Sequence, residues 1–228
     1  MQTRLTNSWA ICCTMGSNMA ESSRQRTVTH LQGLYTVVVG VALAVALANL
    51  IDQQSSAPIR LQALPYFAAY LVTLVPFYHG ALRHLDLAYF ENPTSHARPG
   101  ALMVDWSLLF VESCGLLALA LLINRPIPFM FTLTALLAFD AVWAFVAYLA
   151  FSPKPTEHPA EPRWAVINFA AVLMLIGTAV YLDSIDSAAK PVDTYRWIAV
   201  VSLAVGRTVW DYGWCWSYYY PSGNEPSA

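Results

Sequence analysis

Charged residues are scarce in this sequence. Only 11% of its 228 residues are charged and 57% are hydrophobic, whereas soluble domains carry about 25% charged residues. A soluble fold of this length could not bury so much apolar surface, but a lipid bilayer can act as the solvent for it. The composition therefore predicts an integral membrane protein with membrane lipids around it. The formal net charge of −2 creates no basic field that would attract nucleic acid.

Cysteines are few, and the common enzyme motifs are absent. The four cysteines are Cys12, Cys13, Cys114 and Cys215. Two are adjacent and two lie in apolar segments, so they form neither a disulfide framework nor a CxxC metal site. The sequence contains no GxSxG, HExxH, Walker or GxGxxG motif. We therefore predict no catalytic residue, no metal and no cofactor.

Six apolar segments are each about as long as a membrane-crossing helix, which needs roughly 20 mostly apolar residues. They are residues 29–51, 63–85, 101–123, 127–151, 164–183 and 195–217. These runs are too long and too continuous for β-strands. We predict an all-α, polytopic transmembrane helical bundle over residues 27–220, followed by a short disordered tail at residues 221–228.

Residues 1–26 precede the first predicted span and lack the continuous apolar core of a signal peptide. Apolar residues in this segment recur at helical spacing: Leu5, Trp9, Cys12, Met15 and Met19. The segment is either a cytoplasmic tail or an interfacial or plug helix. An alternative is that the true start of the protein is Met19.

The loops and the basic residues predict how the helices run. Asn124-Arg125-Pro126 indicates a tight hairpin, so helices three and four should be antiparallel neighbours. Seven basic residues lie on one predicted side of the membrane: Arg4, Arg24, Arg26, Arg83, Arg98, Lys154 and Arg163. Four lie on the other: Arg60, Arg125, Lys190 and Arg196. Basic residues concentrate on the cytoplasmic side, so both termini are expected in the cytoplasm, in a plasma or inner membrane.

Aromatic residues at the end of the sixth predicted span indicate a membrane interface. They are Trp214, Trp216, Tyr218, Tyr219 and Tyr220. Tryptophan and tyrosine collect where the lipid headgroups meet water. We therefore expect these residues to form an aromatic belt on the cytoplasmic side.

Ionisable residues inside the predicted spans mark the candidate functional site. Each costs roughly 2.5–3.5 kcal/mol at the bilayer centre on insertion scales, so each needs a partner or water. The predicted pore or ligand-binding cluster consists of eight polar residues: His79, Arg83, His84, Asp105, Glu112, Asp140, Arg207 and Asp211. Counting along the helices places this cluster between the membrane centre and its cytoplasmic side.

Arg207 and Asp211 have the four-residue spacing of a helical ion pair. We expect Arg207 to pair with Asp211 or with an acid of helix three or four. Such a pair could simply lock the packing of the helices. However, the four acids of the cluster outnumber its two arginines, and this excess favours a hydrated path open to the cytoplasm.

The second predicted span carries two histidines and a proline. His79 and His84 are five residues apart, roughly 140° around a helix, so they cannot ligate one metal ion together. Pro76 removes one helical hydrogen bond and frees the carbonyl of Val72, which predicts a kink. This kink could be a hinge or an ordinary feature of a transmembrane helix.

A row of small residues on the first predicted span allows close contact with another helix. It consists of Gly40, Ala44 and Ala48. The contact could lie within one bundle or between subunits.

Three functions are compatible with these features. The favoured one is a small homo-oligomeric ion channel or pore-forming effector with a charged, hydrated core open to the cytoplasm. The second is an intramembrane enzyme or lipid-modifying protein that uses Asp105, Glu112 and a histidine as acid and base. The third is a proton-coupled transporter with Glu112 or Asp140 as the proton carrier, and the lack of an internal repeat counts against it.

Overall fold

The protein is a bundle of long helices. The structure, a computed structural model, describes residues 6–51, 59–91, 99–151, 160–186 and 192–220. It is 92% helical, and the described residues contain no β-strand, which confirms the all-α prediction. The side chains of the N-terminal stripe and the predicted tail at 221–228 lie outside what the structure describes.

In the described part of the chain, six long helices are followed by a short one. Their bounds are α1 Thr6–Leu50, α2 Leu64–Asp86, α3 Pro99–Leu121, α4 Pro126–Phe151, α5 Glu161–Asp186, α6 Val192–Trp214 and α7 Trp216–Tyr219. A π-helical turn, Leu87–Glu91, extends α2. A proline stands in the first turn of α2, α3, α4 and α5, where its missing N–H would have had no intrahelical partner.

Four of the helices are long and apolar enough to cross a membrane. These stretches are Gln25–Leu50, Gly100–Leu121, Pro126–Leu149 and Glu161–Asp183. The sequence predicted six spans, and α2 and α6 are not among the four. The physical reason is their polar content, because α2 carries two histidines beside Arg83 and Asp86, and α6 carries Arg207 and Asp211 within its length. The four apolar helices are compatible with a membrane protein.

The helices form a closed ring. The main packing pairs follow the order α1, α3, α4, α5, α6 and α2, and α2 returns to contact α1. The turn between Leu121 and Pro126 is short, and α3 packs against α4. This confirms the predicted antiparallel hairpin. α2 and α6, the two long helices without a stretch apolar enough to cross a membrane, pack against each other.

Side-chain hydrogen bonds identify the two ends of the bundle. At one end, Gln32 Nε2 donates to Asp86 Oδ1 at 2.8 Å, joining the start of the apolar stretch of α1 to the end of α2. At the other end, Asn124 Nδ2 donates to the Asn49 carbonyl at 2.8 Å. We call these the Asp86 end and the Asn124 end. Successive long helices therefore run in opposite directions between them.

The small residues of α1 face away from the bundle. Gly40, Ala44 and Ala48 are all exposed, and a Cβ added at Gly40 would meet no atom within 4 Å. The buried side of α1 is formed by other residues, among them Tyr35, Val39, Ala42 and Ala46. The sequence predicted that Gly40, Ala44 and Ala48 contact another helix either within one bundle or between subunits. The structure does not show the contact within one bundle.

The carbonyl freed by Pro76 has a partner on α6. Thr208 Oγ1 donates to the Val72 carbonyl at 3.0 Å. Proline cannot supply the N–H that would normally bond to this oxygen, and a buried carbonyl without a donor is unfavourable. The hydroxyl of Thr208 thus replaces the lost helical bond and ties α6 to the middle of α2.

We expect Thr208→Val to lower the free energy of unfolding by about 1–3 kcal/mol, because the Val72 carbonyl would lose its donor. Chemical or thermal denaturation in detergent measures this change. In a Pro76→Ala background, where the helical N–H is restored, the same substitution should have a smaller effect.

Thr134→Val is the matched control, because Thr134 donates only to the Met130 carbonyl of its own helix, at 2.8 Å. Equal losses for Thr208→Val and Thr134→Val would contradict the proposed role of Thr208.

Candidate functional site

The ring of helices surrounds a partly open cavity of about 50 Å³, lined by apolar and polar side chains. Five of the eight residues predicted for the site line it: His84, Glu112, Asp140, Arg207 and Asp211. A single water needs roughly 10–15 Å³ of cavity volume, whereas pockets for organic ligands measure roughly 300–1,000 Å³. The cavity therefore fits a few water molecules and excludes larger ligands in this conformation.

A pair of carboxyl groups forms one wall of the cavity. Glu112 on α3 is buried, and its side chain hydrogen-bonds the side chain of Asp140 on α4. The short hairpin between these helices brings the two acids to the same depth, as counting residues along the helices predicts. A hydrogen bond between two carboxyl groups requires a proton on one of them, because an ionised carboxylate only accepts. The pair is therefore a place where a proton can be held.

An asparagine connects this pair to the arginine. Asn168 on α5 is completely buried. Its Nδ2 donates to Asp140 Oδ2, and its Oδ1 accepts from Arg207 Nε at 2.8 Å. An amide side chain can donate and accept at the same time, which suits a position between an acid and a guanidinium group. The network thus spans α3, α4, α5 and α6.

Arg207 is the cation of the cavity. Its Nη2 lies 3.8 Å from Asp211 Oδ2 on the same helix, which confirms the predicted ion pair. The guanidinium also lies over the ring of Phe77, 5.0 Å from its centroid. Arg207 Nη1 is buried and has no hydrogen-bond partner among the described side chains, so this N–H group is available to cavity water.

Asp211 accepts hydrogen bonds from two aromatic residues. Trp164 Nε1 donates to its Oδ1 at 3.0 Å, and the hydroxyl of Tyr219 lies 3.2 and 3.1 Å from its two oxygens. Tyr219 reaches Asp211 because the chain bends at Cys215, between α6 and the short helix α7. Burial and the adjacent Asp211 carboxylate raise the pKa of the Tyr219 hydroxyl, so this group stays protonated and acts as a donor.

A second acidic group lies beyond His84. Tyr89, in the π-helical turn, donates to Asp105 Oδ2 at 2.6 Å, and His84 Nε2 lies 3.5 Å from the same oxygen. π-helical turns are rare and frequently occur at functional sites. Because His84 also lines the cavity, this His–Asp pair extends the polar network toward the Asp86 end.

His79 and Arg83 lie outside the cavity. His79 lines a separate groove of about 470 Å³, and its Nδ1 lies 3.1 Å from the Tyr212 hydroxyl. Arg83 Nε donates to the Tyr218 carbonyl at 2.9 Å. The two histidines of α2 thus face different sites, as their spacing predicts. Among the described side chains, no group of three or more His, Cys, Asp or Glu residues is placed to hold a metal ion.

Sequence reasoning missed several residues of the network. Asn168 is an uncharged amide in an apolar helix, so a search for charged residues did not find it. A lone amide in such a helix could nevertheless have indicated a polar contact. Nothing in the local sequence around Trp164 and Tyr89 indicates that they belong to the network. Tyr219 was expected in the aromatic belt, but it is only 4% exposed and points into the bundle, whereas Trp216 and Tyr220 are exposed.

The fold and the cavity thus define an all-α helical bundle, compatible with a membrane protein, that encloses a network of carboxyl, amide and guanidinium groups. No protein-family model, no curated protein and no solved structure matches this chain.

Proposed function

We propose that this protein translocates protons and that the Glu112–Asp140 pair is its proton-holding site. The observation that carries the proposal is the hydrogen bond between the carboxyl groups of buried Glu112 and half-buried Asp140. Acids inside a membrane protein commonly form proton relays with neighbouring histidines and acids. Here the pair faces a cavity that also contains Asp211 and His84, so a proton leaving the pair has acceptors within the same polar space.

The size of the cavity distinguishes this function from the two others. A lipid-modifying enzyme must admit part of a lipid, and a channel for metal cations must admit the ion with some of its water. A volume of about 50 Å³ holds only a few water molecules. A few water molecules are enough for a proton, because a proton can pass along hydrogen-bonded water and side chains.

The homo-oligomeric channel stays a prediction. The six long helices of one chain close around the cavity by themselves, so proton translocation through it requires no second copy. The outward-facing row of Gly40, Ala44 and Ala48 is the feature of α1 that suits contact with another subunit.

The proposal includes six spans, with the Asp86 end in the cytoplasm. α2 and α6 have 23 residues each, or roughly 34 Å at 1.5 Å per residue, which is sufficient for the hydrocarbon core of about 30 Å. Arg207 and Asp211 of α6 line the cavity, and Asp86 of α2 accepts a hydrogen bond from Gln32 at one end of the bundle. Both termini are proposed to be cytoplasmic because basic residues concentrate at the Asp86 end.

Reporter fusions test this topology. Fusions at Ser55, Asn124 and Ser187 should be external, and fusions at Ser95 and Thr156 should be internal. An external signal at Thr156 would overturn the orientation, and equal signals at Ser55 and Ser95 would remove α2 as a span.

Proton flux in liposomes tests the function. Purified protein is reconstituted into vesicles containing a pH-sensitive dye, and a potassium gradient with valinomycin supplies the driving force. We expect acidification or alkalinisation that follows the imposed potential and does not depend on the metal cation present. Flux of sodium without proton flux would favour the channel, and the absence of both would leave the enzyme as the better explanation.

A further inference from the structure

The groove beside His79 has the volume of a site for an organic molecule. It measures about 470 Å³, and pockets that hold such ligands measure roughly 300–1,000 Å³. Its walls come from α1 and α2, and Tyr212 and Tyr220 complete it. Val75 is 54% exposed and Tyr220 is 49% exposed. The groove therefore opens on the outer surface of the bundle, on the side of α1 and α2.

The lining of this groove changes from polar to aliphatic along the bundle. On α2, His79 lies about 10 Å from Asp86 along the helix and Leu74 lies about 18 Å from it, at 1.5 Å per residue. On α1, Thr36 is the lining residue nearest the Asp86 end and Leu43 is the one farthest from it. The groove thus has hydroxyl and imidazole groups at one end and aliphatic side chains at the other, which matches a molecule with a polar head and an apolar tail.

The polar end of the groove is aromatic and uncharged. Among the residues that the structure describes, no Asp, Glu, Lys or Arg lines the groove. A charged head group would find no opposite charge on these walls, and an unpaired charge away from water is unfavourable. The polar end instead carries four aromatic rings: Tyr78, His79, Tyr212 and Tyr220. Aromatic rings pack favourably against other flat rings, so the lining favours an uncharged head group that is itself a flat ring.

His79 and Tyr212 together carry one more hydrogen-bond donor than their own contact uses. His79 Nδ1 lies 3.1 Å from the Tyr212 hydroxyl. A neutral imidazole has one N–H and a tyrosine has one O–H, and a single hydrogen bond between them uses one of these two donors. Both residues line the groove. The remaining donor suits a head group that accepts hydrogen bonds.

We propose that this groove binds an isoprenoid quinone, with the quinone ring at the aromatic end and the tail along Leu43 and Leu74. A quinone ring is flat and uncharged, and its carbonyl oxygens accept hydrogen bonds without donating any. Its isoprenoid tail is wholly apolar. Each part of the molecule therefore matches one end of the groove. The proposal concerns binding and is independent of the proposed proton translocation.

Gly40 allows the groove to be filled without disturbing the bundle. It lines the groove, and a Cβ added there would meet no atom within 4 Å. Gly40→Leu should therefore place a side chain in the space of the ligand and leave the packing of the helices intact. Gly177→Leu is the matched control, because an added Cβ at this helical glycine also meets nothing within 4 Å, but Gly177 lies on α5 and does not line the groove.

Photolabelling of the protein in lipid nanodiscs tests the site. The probe is an azido derivative of decylubiquinone, and unmodified decylubiquinone competes with it. We expect saturable labelling, which mass spectrometry should locate on the segments of α1 and α2 around Gly40 and Tyr78. Labelling of these segments should fall roughly tenfold or more in Gly40→Leu, because the added side chain overfills the site. Labelling in Gly177→Leu should equal that of the wild type.

Decylbenzene tests whether the carbonyl groups of the quinone are recognised, because it has a flat ring and the same tail but no hydrogen-bond acceptor. It should compete with the probe roughly tenfold less well than decylubiquinone, the effect of one lost hydrogen bond. The double variant His79→Phe, Tyr212→Phe keeps both rings and removes both donors. It should weaken competition by decylubiquinone and leave competition by decylbenzene unchanged.

Labelling spread over all the helices, or equal competition by decylbenzene and decylubiquinone, would overturn the quinone site. Equal displacement of the probe by lysophosphatidylcholine would assign the groove to a phospholipid instead. An unlabelled wild type that changes from dimer to monomer in Gly40→Leu would assign this side of α1 to a second copy of the chain. If Gly40→Leu does not fold, the labelled positions and the competition in the wild type still decide.

The outcome is separate from that of the transport experiment. Specific labelling in a protein without proton flux would support the quinone site and remove the proposed function. Proton flux in a protein without specific labelling would remove only the quinone site.

Discussion

Replacing Arg207 with leucine is expected to lower the free energy of unfolding by about 3–5 kcal/mol, the usual effect of removing one member of a buried ion pair. The substitution leaves Asp211 without its cation and removes the donor to Asn168 Oδ1. Both groups are buried, so water cannot easily replace the lost contacts. Denaturation of the purified protein in mixed detergent micelles measures the change.

Two further variants complete this experiment. Arg207→Leu combined with Asp211→Asn should recover part of the lost stability, because the double variant no longer buries an unpaired carboxylate. Arg125→Leu is the control, because Arg125 is exposed in the turn between α3 and α4 and should contribute little. If Arg207→Leu unfolds at the same denaturant concentration as the wild type, then the guanidinium faces water or lipid headgroups instead of the cavity network.

Proton flux is expected to fall to the level of protein-free liposomes in Glu112→Gln. Glutamine has nearly the same shape as a protonated glutamic acid but has no acidic proton to release. Its amide can still donate to Asp140, so the hydrogen bond that links α3 to α4 is preserved. Stability should therefore change by no more than about 1 kcal/mol, and the loss of flux can be assigned to the missing proton.

The matched control for Glu112→Gln is Asp183→Asn. It also replaces one acid by its amide, but Asp183 is exposed near the Asn124 end, so flux should stay at the wild-type level. Wild-type proton flux in Glu112→Gln would show that the carboxyl pair is not the proton-holding site. A metal-cation conductance whose reversal potential shifts toward anions in this variant would instead support the channel.

The sequence was sufficient to predict the helices that depend on apolarity alone and the common level of three charged residues along the bundle. Four of the six predicted segments meet the length and apolarity of a membrane span. Glu112, Asp140 and Arg207 line one cavity, and counting along the helices could bring them to one level because a helix rises regularly, by about 1.5 Å per residue. A tight hairpin then fixes the relative height of its two helices. Neither step needs knowledge of the three-dimensional packing.

The parts that sequence could not predict depend on direction around the helix and on a bend in the chain. Gly40, Ala44 and Ala48 show that α1 can approach another helix closely, but not which side it turns toward the bundle. Tyr219 belongs to the cavity because the chain bends at Cys215. Interfacial tyrosines and buried tyrosines look alike in sequence, since both have an apolar ring and a polar tip.

The pairing of α2 with α6 has a consequence for biosynthesis. These two helices pack against each other and share the Thr208–Val72 hydrogen bond, but α6 is made after the other five. Until α6 leaves the ribosome, the Val72 carbonyl lacks its donor and Asn168 lacks Arg207. In the proposed six-span topology, the insertion machinery has to shelter α2 from lipid until α6 arrives, and a nascent chain stopped before α6 would expose these polar groups to membrane quality-control proteases.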